Sequence, residues 1–153
     1  MTLIDLDHLW LPEPLCRTGV LTGLLASGFV AISQASGGPE LLFGRCLGAC
    51  AALLILEGIS HLGERILGQP ALGLGDAKLA ALGGAWLGLS GIGMALALAV
   101  LWGAVIGLTA RVLGRLGPRE PFPFGPFIAT GIWLVWLQGA GWWWERWLQL
   151  MGL

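Results

Sequence analysis

The chain has 153 residues, a net charge of −1, 56% hydrophobic and 11% charged residues, and a mean hydropathy of +0.81. Ordinary soluble domains carry about a quarter charged residues, so this composition excludes a soluble globular fold. The lack of a basic excess excludes nucleic-acid binding through a cationic surface. What remains is an all-α, polytopic bundle of transmembrane helices. Its 26 glycines allow close helix contact and its nine tryptophans supply interfacial anchors. The length suits one membrane domain of about four or five spans at about 20 residues each.

The first dozen residues contain acids and no basic stretch, so a cleavable signal peptide is not expected there. They carry Asp5-Leu6-Asp7-His8. Residues 15–33 form the first predicted span, closed by the polar stretch 33–40. Residues 41–60 form the second, with Arg45 near one end and Glu57 near the other, followed by a more polar loop over 61–75. The apolar run over 77–110 is too long for one comfortable span, and the glycines at 88, 91 and 93 are expected to break it into a short helix and a full one. A basic loop at 111–119 and a proline-rich segment at 118–126 precede a last span starting near Phe127. Trp142, Trp143, Trp144 and Trp147 then cluster where an aromatic belt would sit. No internal repeat is evident.

Charge orients this bundle. Arg17 flanks the first span, Arg65 and Lys78 the second loop, and Arg111, Arg115 and Arg119 the loop before the last span, whereas the 33–40 loop has no Lys or Arg. By the positive-inside rule the N-terminal segment, the turn at Asp76 and the 111–119 loop face the cytoplasm. Asp5, Asp7 and Asp76, the three aspartates of the chain, therefore emerge at one membrane face.

Metal chemistry finds no support. Cys46 and Cys50 share a helix face at i and i+4 without further ligands, no Cys-x-x-Cys pair occurs, and His8 and His61 stand alone, so the cysteines read as small core residues. The carboxylates are more informative, because ionisable groups at the mouth of a membrane segment are rare without a function. Two carboxylates that share a proton can hydrolyse a peptide, since repulsion and desolvation leave one as base and the other as acid. Gly73 and Gly75 allow a tight backbone path and close helix approach around Asp76. The plainer reading makes Asp76 an N-cap ahead of an apolar helix. Lys78 reads as a snorkelling cation or a neighbour that helps keep Asp76 ionised. Glu57 is expected to pair with Arg65 or His61.

Three motifs together resemble the type IV prepilin peptidases. Leu3-Ile4-Asp5-Leu6-Asp7-His8 with Leu11-Pro12-Glu13 is similar to their first aspartate motif. Gly73-Leu74-Gly75-Asp76-Ala77-Lys78-Leu79, running on through Gly83-Gly84-Ala85-Trp86, resembles their second. Pro123-Phe124-Gly125-Pro126-Phe127 resembles the element that opens their final helix. The Gly-x-Gly-Asp element is shared more distantly with preflagellin peptidases and presenilins.

The resemblance implies a GxGD-type intramembrane aspartyl protease with Asp5 and Asp76 as its catalytic pair. Asp5 is preferred to Asp7 because the family's aspartate stands seven positions before a proline, here Pro12. Asp7, Gly73, Gly75 and Lys78 then support the site. The implied partner is a prepilin or pseudopilin helix in lipid, cut after the glycine that ends its basic leader. Neither cofactor nor metal is implied, and no methyl-donor motif supports N-methyltransferase activity. Full-length relatives have a helix before the first aspartate and a segment with Cys-x-x-Cys motifs. Residues 1–153 are thus expected to be a single catalytic membrane domain lacking both, whether as a fragment, a shortened product or one part of a split enzyme completed by a partner chain. Gln69-Pro70-Ala71 also departs from the more polar approach common in the family. The rival readings are an inactive relative of such peptidases and a non-enzymatic membrane scaffold or transporter subunit.

Overall fold

A computed structural model of the chain describes residues 13–33, 37–68, 73–114 and 124–152, and every regular element among them is a helix. We number them α1 (Glu13–Ser33), α2 (Gly38–Leu67), α3 (Leu74–Val112), α4 (Gly125–Gln138) and α5 (Ala140–Met151). Three of them are long and apolar enough to cross a membrane over Pro14–Ser33, Gly38–Ile66 and Gly75–Val112, and α4 is a shorter apolar helix. The chain is a multi-pass helical membrane protein. Polar side chains inside the spans are largely answered locally, as hydrocarbon requires. Thr18 and Thr22 on α1 and Thr109 on α3 each donate to a carbonyl one turn back, at 2.8–2.9 Å.

The helix ends follow local chemistry. α2 opens after Gly37, at φ 85°, with Pro39 in its first turn, and closes at Gly68, whose φ of 71° is left-handed and whose N–H donates to the Glu64 carbonyl at 3.0 Å. The 61–75 stretch expected as a loop is therefore helical as far as Leu67, because the 3.6-residue pattern continues through Gly63 and only Gly68 supplies a stop. His61 meets Glu64 at 3.7 Å, both well exposed, and Glu57 pairs with neither His61 nor Arg65. Arg65 lies two turns, about 12 Å, along the helix from Glu57, and the His61 imidazole faces Glu64 instead.

An unbroken 39-residue helix would be about 58 Å long, almost twice the thickness of a hydrocarbon core. α3 avoids this at Gly88, whose φ of 74° and ψ of −178° are open essentially to glycine alone. Residues 74–87 and 89–112 thereby become two helical halves of about 20 and 35 Å. The chain turns back at this point. A Cβ at Gly83 would lie 2.9 Å from the Ile92 side chain, although nine residues of straight helix would separate the two by about 13 Å. The expected break thus falls at the first glycine of the 88–93 stretch.

Register follows from close contacts. Gly19 and Gly23 of α1 lie against Leu82 and Trp86, so α1 and the first half of α3 run parallel, and the Trp86 indole donates to the Gly19 carbonyl at 3.1 Å. α2 runs antiparallel to that half, with Gly48 backbone-to-backbone against Gly84 and Gly88. A Cβ at Gly84 would lie 2.5 Å from the Gly48 carbonyl, so these two backbones touch without side chains between them. α4 runs antiparallel to the second half of α3, with Gly131 on the Ala95 carbonyl and Phe124 beside Gly103. The core common to the four consists of small and medium residues, among them Ala52, Ala80, Ala95, Met94, Ile128 and Val135.

The last span also differs from expectation. It begins at Gly125, with Pro126 in its first turn, but ends at Gln138, and Gly139 at φ 82° and ψ 145° turns the chain into a separate helix. The tryptophan cluster belongs to that helix, α5, because the chain breaks at Gly139 in the Gln138-Gly139-Ala140-Gly141 stretch rather than running on as one span.

Candidate active site

Asp76 stands in the first turn of α3, three residues after Gly73, and its N–H donates to the Gly73 carbonyl at 3.0 Å. The N-cap is thus Gly73, and the expectation that Asp76 fills that place is corrected by one turn's worth of geometry. The carboxyl group rides at the third helical position, beside N–H groups that have no carbonyl four residues back and so present positive partial charge. Asp76 is only 7% exposed, and among the described residues it is the buried carboxylate. Behind it, Ala77, Leu79 and Ala80 are buried in the apolar core, so the acid sits on the rim of a surface that excludes water.

Gly73 has φ −68° and ψ 141°, which any residue adopts. Its lack of a side chain contributes room: a Cβ there would lie 3.7 Å from Asp76 Oδ2. Gly75 occupies the second position of the helix, and Lys78, half-buried, follows the acid by two residues. Asp5 and Asp7 lie outside the described residues.

The neighbouring helices converge on this turn. Stepping down α2 by fours from the Gly48–Gly84 contact brings Leu56 and Ser60, both buried, to the level at which α3 starts. Cys16 of α1, 2% exposed, joins the same core as Ala77 and Ala80. Ser60 stands at the expected end of a span; its signal is a hydroxyl that falls on the same i+4 face of α2 as Gly48, Ala52 and Leu56. A second polar contact lies at the opposite end of the bundle. Arg45 Nη1 donates to Ser27 Oγ at 2.7 Å, and Ser27, fully buried, donates in turn to the Gly23 carbonyl. Arg45 lies against Gly88, so this cation belongs to the turn of α3 rather than to Asp76. Among the described residues no three His, Cys, Asp or Glu side chains converge as metal ligands would.

A family model described as the type IV leader peptidase family matches residues 1–108. The chain is 35% identical over 143 residues to a prepilin leader peptidase/N-methyltransferase of Aeromonas hydrophila, covering 91% of this chain and 46% of the relative. It is 33% identical over 139 residues to the protein of that name from Pseudomonas aeruginosa, covering 91% of this chain and 46% of that relative. To one from Burkholderia pseudomallei it is 34% identical over 131 residues, covering 86% and 40%. The chain spans less than half the length of these curated relatives. No solved structure matches it.

Proposed function

Because this chain belongs to the type IV leader peptidase family, we propose that it is an aspartic endopeptidase that removes the basic leader of a prepilin or pseudopilin, with Asp5 and Asp76 as its catalytic pair. The observation that carries the reading is the Asp76 carboxyl group, buried at the first turn of α3 on the rim of an apolar core. There a substrate helix in lipid would present the bond that precedes its apolar segment. The reaction takes place at the cytoplasmic face of the inner membrane, the side that the arginine-rich segments favour. The catalytic domain is residues 1–153 as a unit.

The chemistry needs one proton between two carboxyl groups. The ionised group takes a proton from water as the water oxygen attacks the scissile carbonyl carbon, and the protonated group donates its proton to the carbonyl oxygen. A tetrahedral gem-diol results. It collapses as the C–N bond breaks, with a proton passing to the leaving nitrogen and one proton again shared by the pair. The two groups titrate as a unit, so activity should fall at both pH extremes. Asp7, Gly73, Gly75 and Lys78 serve to hold the pair, Gly73 by leaving space beside Oδ2 and Lys78 by its charge.

Cleavage of a prepilin-like peptide with a glycine-ended basic leader, by the chain in lipid, tests this reading. The account predicts a cut after the glycine, and loss of the cut when that glycine is replaced by a bulky residue. Cleavage elsewhere, or cleavage blocked by a zinc chelator, would point to a different enzyme.

A further inference from the structure

We propose that α5 is an interfacial helix, lying in the headgroup–acyl boundary of the membrane leaflet opposite Asp76 and covering the Gly88 turn of α3. This goes beyond the peptidase reading and does not depend on it. The bound partner is the lipid interface itself.

Geometry sets its place. Were α4 to continue straight through Gly139, Trp147 would stand about 18 Å beyond Val135. Instead Trp147, Trp143 and Ala140 pack against the core cluster that contains Val135. The Trp143 indole donates back to the Leu134 carbonyl at 3.3 Å, and the Trp144 indole reaches the Ser90 carbonyl at 3.4 Å. Ser90 adjoins the Gly88 turn, about 18 Å along the helix from Asp76. The last helix therefore folds across the far end of the bundle.

Chemistry identifies what covers it. Ala140, Trp143 and Trp147 are half-buried and no residue of α5 is fully buried, while Trp142, Leu148, Leu150 and Met151 are 42–85% exposed. Trp142 and Trp144 are exposed, as are Trp133 and Trp136 on the second half of α4, so exposed tryptophans flank the Gly139 turn on both sides, as they do where a chain meets the membrane–water boundary. Glu145, Arg146 and Gln149 are exposed on the same short helix, and Arg146 lies 5.4 Å above the Trp142 ring. Tryptophan rings mixed with cancelling charges suit the boundary between headgroups and acyl chains. A second copy of the chain would have to bury those charges. With Glu145 offsetting Arg146, zwitterionic lipid suffices.

The test places single cysteines at Gly141, Glu145, Leu148 and Leu150 of the full chain, with Cys16, Cys46 and Cys50 replaced by alanine. Each is nitroxide-labelled in phosphatidylcholine vesicles, and its depth is read from oxygen and nickel-complex collision rates. The expected result is a shallow depth that oscillates with the helical period and shows no net trend from 141 to 150. A steady change of about 1.5 Å per residue would make α5 part of a crossing helix and overturn the proposal. Spin–spin broadening between copies, or full water access at all four sites, would overturn it too. Should the cysteine-free chain not fold, brominated lipids give the same reading on the natural chain. Trp142→Phe with Trp144→Phe should remove fluorescence quenched by shallow bromines in preference to deep ones, and the reverse preference would overturn the proposal.

Discussion

Asp76 and Arg45 are both charged residues inside apolar helices, and their surroundings give them different fates. Asp76 was legible because a lone carboxyl group bordering a long apolar run has few bland explanations. Its position at the third residue of the helix, not the cap, was not legible, since Gly73 and Asp76 are both good starting residues and only the hydrogen bond from the Asp76 N–H decides between them. Arg45 is legible within the second apolar run, but its partner is not. Ser27 lies 18 residues earlier on another helix, and no local pattern encodes the register that joins them. Ser27→Ala leaves the guanidinium without the acceptor it has among the described residues. It should lower stability by about 1–3 kcal/mol, measured as the fall in unfolding free energy in detergent, while Thr22→Ala, which removes only an exposed bifurcated bond to its own helix, should change it by less than about 0.5 kcal/mol.

Among the elements, α1, the start of α3 and the start of α4 follow from hydropathy runs and from proline and glycine signals that act locally. The Gly88 break was legible as a necessity of length, and its residue was fixed by the backbone angle that glycine alone tolerates. α5 was hidden because the glycines at 139 and 141 carry no sign of which way the chain turns. Helix contacts give a further expectation. Gly84→Val would drive a side chain into the Gly48 backbone, which cannot give way as a flexible side chain does. It should destabilise the α2–α3 pair by about 1–3 kcal/mol or more. A Cβ at Gly28 meets nothing within 4 Å, so Gly28→Ala should be neutral or slightly stabilising. Thermal unfolding of the two variants beside the natural chain in one detergent makes the comparison.

For the whole molecule, the turn at Gly88 reconciles two demands: α3 must hold Asp76 buried at one end and still fit a membrane about 30 Å thick. The reversal returns the chain toward the end at which α3 began, as the charge asymmetry of the sequence requires if Arg65, Lys78 and Arg111 share a side. In oriented vesicles, cysteines placed at Gly68 and Gly114 should react with an impermeant maleimide from the cytoplasmic side, and cysteines at Gly37 and Gly139 from the other. Labelling of Gly68 and Gly114 from opposite sides would break this topology.

The central claim is that Asp5 and Asp76 act as one catalytic pair, and the most direct measurement is the prepilin cleavage rate of Asp5→Asn, Asp76→Asn and the double variant. Two groups sharing one proton fail together, so each single change should cost roughly a thousandfold or more and the double change little beyond either single one. Cleavage that survives Asp76→Asn, or losses that multiply in the double variant, would contradict the account.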